Sequence, residues 1–192
     1  MPSIPNADQE PNDRFGYSCY AVVVPAPDDL RARCDEIERA AGQTRAKIPA
    51  HITVKGTFCR IESLDAARDT IRSIARSTPR FWISFSGAES FWRETGGGLD
   101  IPVTPEMQGL HDGLVTAIEP VSTSAYRDDP YRAHLTYVQG VTPDGLRRAQ
   151  ELVEKLHMGE GFTVSAVDLM GRAGQAHGGR WELIERFPLG GA

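Results

Sequence analysis

Polar and apolar positions recur along nearly the whole chain with clear periods, and the period switches in an ordered way. Tyr17 to Val24 is a β-branched and aromatic run stopped by Pro25, which predicts a central strand. Leu30, Cys34, Ile37 and Ala41 then recur at helical spacing, with Asp28 or Asp29 as the cap and Gly42 as the stop. A strand over roughly 50–58 follows Pro49, whose missing N–H sets the start near Ala50. Ser63 caps a helix carrying Leu64, Ala67, Ile71 and Ile74, which ends before Pro79. Phe81 to Ser86 alternates as a strand, and a further strand or irregular segment runs through Phe91 and Trp92. Gly96-Gly97-Gly98 reads as a turn.

The second half repeats the order. A short strand, Leu99 to Val103, leads to Thr104-Pro105-Glu106, a helix start with hydroxyl cap, proline and acid in sequence. Met107, Leu110, Leu114 and Ile118 form its apolar face; 119–130 reads as a loop and 132–138 as a strand. Thr142-Pro143-Asp144 starts the next helix, with Leu146, Ala149, Val153 and Leu156 inside. Strands over Phe162 to Leu169 and Arg180 to Phe187 close the chain around a Gly-rich loop, 171–179. Both halves thus run strand, helix, strand, helix, strand. The spacing predicts an α+β fold built by duplication, with two lobes (about 15–95 and 96–192) related by a pseudo-twofold axis. Residues 1–14 are polar and read as a flexible arm, leaving 15–192 as one domain.

The predicted third element of each half contains the same phrase. Ala50-His51-Ile52-Thr53-Val54 returns 83 residues later (51 to 134) as Ala133-His134-Leu135-Thr136-Tyr137. In an extended strand, period-two alternation puts His and Thr on one face and the apolar residues on the other. Duplication gives the two strands a reason to meet at the axis, where two imidazoles and two hydroxyls would surround one small anion. Such a set suits phosphodiester cleavage: one neutral His takes a proton from the attacking oxygen, and one protonated His supplies the leaving oxygen. The Thr hydroxyls can hold the non-bridging oxygens. Either His fits either role. Lys55, at +4 from His51, and Arg132, at −2 from His134, fall on the same faces by parity and are candidates to neutralise phosphate charge.

Composition narrows the classes. A net charge of −5 argues against an extended nucleic-acid surface but leaves room for a local phosphate pocket. No apolar run approaches the ~20 residues of a membrane span. Three widely spaced cysteines, Cys19, Cys34 and Cys59, fit reduced thiols in a cytoplasmic protein, with Cys19 and Cys34 in the core. No metal-ligand set accompanies the His phrases, and the glycine triplet lacks the Lys-Ser/Thr ending of a phosphate loop. His111 reads as a helix-surface or boundary residue, His157 as a helix end, and His177 as a loop residue. Tyr20, Tyr131, Tyr137 and Trp92 read as core aromatics rather than base-stacking surfaces.

The paired His-x-Thr phrases, each in the middle of an α+β half, resemble the two-histidine phosphoesterase superfamily, which includes 2'-5' RNA ligase-like proteins and 2',3'-cyclic phosphodiesterases. The resemblance covers about residues 15–190. It implies antiparallel sheets lining a central cleft, no cofactor or metal, and catalysis by His51 with Thr53 and His134 with Thr136. It implies substrates that are small nucleotides or RNA ends carrying 2',3'-cyclic phosphates or 2'-5' linkages. The oligomeric state is open on the residues, with a monomer favoured. Two alternatives stay open on the residues: a nucleotide- or RNA-end-binding module without turnover, and a 2'-5' RNA ligase.

Overall fold

The computed structural model describes residues 12–43, 48–59, 61–91, 95–118, 130–174 and 179–190. The chain order is β1 (Tyr17–Pro25), α1 (Asp28–Ala41), β2 (His51–Phe58), α2 (Leu64–Ser77), β3 (Phe81–Ser84), β4 (Gly87–Phe91) and β5 (Gly96–Ile101). It continues as α3 (Pro105–Ala117), β6 (Ala133–Gln139), α4 (Pro143–Leu156), β7 (Gly161–Val164), β8 (Ala166–Ala173) and β9 (Arg180–Pro188). Most of the expected 119–130 loop, most of the N-terminal arm, Trp92 and His177 lie outside the described residues.

Helix boundaries follow local chemistry. Ser63, Thr104 and Thr142 each accept a hydrogen bond from the backbone N–H three residues on, satisfying a donor that the first turn leaves open. α1 differs: its N-cap is Pro27, with no side-chain cap. Asp28 and Asp29 instead occupy the first turn, where an acid suits the positive end of the helix dipole. Gly42 ends α1 in the left-handed conformation (φ 78°).

Seven strands form one sheet in the order β4-β5-β6-β2-β1-β8-β9, and β3 pairs with β7 in a second. Every strand pair in both sheets is antiparallel. This order is the signature of the duplication. If β1–β4 is matched with β5–β8, equivalent strands meet at β2–β6 and again at β3–β7. The outer strands are exchanged: β4 lies against β5, and β8 lies against β1. Only β9 stands outside the pattern. The helices obey it too, with α1 packed on β6 and α4, and α3 on β2 and α2. All four helices contribute to one core with Val22, Val24, Ile52, Leu135, Tyr137, Val167 and Leu169. That core occupies one face of the large sheet. The alternate positions, including His51, Thr53, His134 and Thr136, belong to the other.

Two expectations fail for tertiary reasons. The glycine triplet is not a turn; all three residues lie in β5. A Cβ on Gly97 would stand 2.5 Å from Tyr137 Oη, so glycine is required for β5 to lie beside β6 at that point. The expected single strand Phe162–Leu169 is two strands in two sheets, divided at Ser165. The burial pattern records the break: Phe162 and Val164 are buried two apart, then Val167 and Leu169 after a gap of three.

Candidate functional site

β2 and β6 meet at the pair Ile52↔Leu135, in antiparallel sense. That register sets Thr136 opposite His51 and His134 opposite Thr53. The four polar residues therefore form a two-by-two block on one face, all half-buried. The two histidines are diagonal neighbours, a relation that separates backbones by about 7–8 Å.

The rings are oriented in the same way. His51 Nδ1 lies 2.8 Å from the Pro49 carbonyl, and His134 Nδ1 lies 3.3 Å from the Arg132 carbonyl. A carbonyl only accepts, so each Nδ1 carries the hydrogen, and Nε2 of each neutral ring holds the lone pair. Two rings related by the pseudo-twofold thus have the same tautomer imposed by the carbonyl two residues back. One Nε2 is able to take a proton while the other, once protonated, gives one.

Each His-x-Thr phrase ends in a β-bulge. On β2, Thr53 pairs with Val23 but Lys55 pairs with Val22, so Val54 is the extra residue. On β6, Thr136 pairs with Gly98 and Val138 with Gly97, so Tyr137 is the extra residue. Val54 and Tyr137 each stand three residues after their histidine. The bulge corrects the expectation for Lys55. Val22 and Val23 face opposite sides of the sheet, so Thr53 and Lys55 do as well. Lys55 is turned to the helix-covered face, is 1% exposed, and places Nζ 5.7 Å from the Phe58 ring centroid. Its counterpart at the same offset from His134 is the buried Val138. Arg132 is exposed, one residue before β6 begins, and its carbonyl orients His134.

Two residues support the block from behind. The β2–β6 contact is short, so carbonyls of β2 beyond Ile52 need other partners. The Tyr131 hydroxyl donates to the Thr53 carbonyl at 2.7 Å, and His111 Nδ1 donates to the Val54 carbonyl at 2.6 Å. The His111 and Tyr131 rings stack, with centroids 4.0 Å apart. His111 is buried, against the surface or boundary position expected of it. The signal was present: positions 107, 110, 111 and 114 form one helical stripe, and His111 lies within it. Tyr20, Tyr131 and Tyr137 are buried, as expected of core aromatics, and His157 caps α4 with φ 45°. Among the described residues, no three His, Cys, Asp or Glu side chains are grouped to hold a metal ion.

Several solved structures share this architecture. The protein TT0787 of Thermus thermophilus aligns with a TM-score of 0.64 at 17% identity, covering 90% of this chain and 98% of that one. LigT of E. coli in its apo form aligns at 0.61 and 14% identity, covering 90% and 97%. LigT complexed with 3'-AMP aligns at 0.57 and 14% identity, covering 88% and 96%. These identities establish a shared fold. No curated protein matches the sequence. The family model of the 2'-5' RNA ligase superfamily matches residues 26–176, through both His-x-Thr phrases, and the chain belongs to that superfamily.

Proposed function

We propose that this protein is a phosphoesterase that hydrolyses 2',3'-cyclic phosphates or 2'-5' linkages of nucleotides or RNA ends by proton exchange between His51 and His134. The observation that carries the reading is the two-by-two block, with both rings tied through Nδ1 to carbonyls at i−2. In this reading one Nε2 takes a proton from water as its oxygen bonds to phosphorus. The P–O bond to the ribose oxygen breaks, and the other Nε2–H protonates that oxygen. Thr53 and Thr136 donate to the non-bridging oxygens and hold phosphorus in line. Arg132, exposed beside the block, contributes positive charge to an incoming phosphate. Lys55, buried behind the strand, acts through the local field rather than by contact. The 3'-AMP complex of LigT supports a nucleoside phosphate as ligand, because that protein has a related fold. We read the chain as a cytoplasmic monomer, its three cysteines being reduced thiols outside any disulfide.

The family description favours a second reading, joining of 2'-5' ends, in which a 5'-hydroxyl replaces water and the same groups act. The test of the first is turnover of 2',3'-cyclic AMP by wild type, His51→Ala and His134→Ala in excess EDTA. The expectation is a rate about 10²–10⁴ lower in each variant. Undiminished turnover in His134→Ala, or tight binding without turnover in wild type, overturns it.

A further inference from the structure

Cys19 and Cys59 are brought together at the end of the β1–β2 ladder remote from His51. Tyr20 pairs with Phe58 in antiparallel sense, which places Cys19 opposite Cys59 one step farther out. Residues directly opposite in such a ladder have Cα atoms about 4.5–5.5 Å apart, inside the span of about 4.4–6.8 Å that a disulfide bridges. The side chains complete the approach: the two cysteines form a buried cluster of their own, and a hydrogen bond joins their sulfurs. On the opposite face the Tyr20 and Phe58 rings stack, with centroids 5.6 Å apart, and hold the two strands together there.

The surroundings of the pair are specific. Trp181 packs against both cysteines and also against the patch of Ala21, Val23 and Met170. Val23 pairs with Thr53, so the dithiol lies on the same side of the sheet as the histidines. Arg172 brings positive charge: its guanidinium carbon lies 5.9 Å from the Trp181 ring centroid, and its Nε donates to Ser18 Oγ at 3.2 Å. Electropositive surroundings are the setting in which thiols react with oxidants. The hydrogen bond to Cys59, and then burial, keep the proton on Cys19 against the opposing charge of Arg172. Cys59 is 3% exposed and stands one residue past the end of β2, so it is the thiol placed to meet an oxidant first. Cys34 is remote from the pair, in the main core under α1.

We propose that Cys19 and Cys59 are an oxidisable dithiol, a modification site at which a peroxide closes a disulfide and staples β1 to β2. The Cys59 sulfur attacks one oxygen of hydrogen peroxide. The O–O bond breaks, a sulfenic acid forms, and the thiol proton leaves with the other oxygen as water. The Cys19 sulfur then attacks the sulfenic sulfur. The S–O bond breaks, the hydroxyl leaves with the Cys19 proton as a second water, and the S–S bond forms. The two thiols lose two electrons, which the peroxide takes up, and a dithiol reductant reverses the step. The bond closes residues 19–59 into a loop that contains α1, His51 and Thr53. Closing such a loop leaves the unfolded chain fewer conformations, so the linked form is the more stable one. The proposal does not depend on turnover at the His-x-Thr block.

The test exposes the folded full chain, first reduced, to hydrogen peroxide as wild type, Cys34→Ser, Cys19→Ser and Cys59→Ser. Titration with DTNB in denaturant counts three thiols in reduced wild type and one after peroxide. The intact mass falls by two hydrogens, and digestion releases a peptide pair joining Cys19 to Cys59. Dithiothreitol restores all three thiols. Cys34→Ser closes the same bond, whereas Cys19→Ser and Cys59→Ser form none, and dimedone labels Cys59 in Cys19→Ser. The melting midpoint of oxidised wild type and Cys34→Ser rises by about 5–15 °C and falls back with dithiothreitol. Three thiols surviving peroxide, a bond that uses Cys34 or joins two molecules, or an unchanged midpoint in the linked form overturns the proposal and leaves the pair as core packing only. Wild type and Cys34→Ser decide between these outcomes even where a variant of the pair fails to fold.

Discussion

Ile52 of β2 faces Leu135 of β6 across the sheet, and both side chains are fully buried beneath the paired His-x-Thr phrases. This contact joins the two halves at the pseudo-twofold axis and sets the spacing of the site. Leu135→Ala removes packing on that seam, with a cost of about 2–5 kcal/mol. Chemical denaturation measures it. Turnover per folded molecule falls as well, because the histidines lose their common register; a stability loss with unchanged kcat would count against that coupling.

The Thr53 and Thr136 hydroxyls stand opposite His134 and His51 in this register. Replacement by Val keeps the β-branched shape and removes the donor. Each substitution lowers kcat about 10²-fold, the scale of one lost donor to developing charge, with a smaller effect on KM. The matched double variant falls by less than the product if both hydroxyls hold the same phosphate group. Steady-state kinetics on a cyclic nucleotide decides it.

Tyr131 is a different kind of hydroxyl. It donates to the Thr53 carbonyl, and its loss leaves that carbonyl without this partner. Tyr131→Phe therefore destabilises by about 1–2 kcal/mol. Tyr137 gives the opposite expectation. Its Oη is buried with no hydrogen-bond partner among the described residues. Tyr137→Phe is neutral or stabilising by up to about 1 kcal/mol. Gly97→Ala beneath the same ring costs about 1–3 kcal/mol through overpacking. Urea midpoints of the three variants separate these signs.

Stability should also fall in alkali. Burial pushes the Tyr137 hydroxyl up to about 12 and, with a hydrogen bond to Asp13, raises Tyr20 further. The hydrogen bond to Cys59, with burial, holds the Cys19 proton well above the usual thiol range. All three groups keep their protons in the folded state beyond the point where the unfolded chain loses them. Their stabilisation is complete below about pH 8.5, where unfolded thiols begin to ionise, and declines as pH rises through 9 to 12. Denaturation at pH 8 and pH 11 measures the loss. Resistance of Cys19 to iodoacetamide at pH 8, lifted only in denaturant, is the companion observation.

Chemistry acting within a few residues was legible along the chain by itself. Ser63, Thr104 and Thr142 cap their helices because each cap needs only an amide three residues on. The alternation in each His-x-Thr phrase put His and Thr on one face because strand parity is a local property. The repeated element order announced the duplication, and its prediction that equivalent strands meet is realised at β2–β6 and β3–β7. Tertiary packing decided the rest. The Ile52–Leu135 register joins residues 83 apart, and no short-range preference selects it. The bulge at Val54 turns Lys55 away from the site because β2 must keep pace with β1, a strand whose pairing parity alone does not reveal. Gly97 serves close strand approach rather than a turn, because the Tyr137 ring occupies the space a side chain there would need. In each case the determinant is a partner remote in sequence, and a pattern read along one segment holds no record of what will lie across from it.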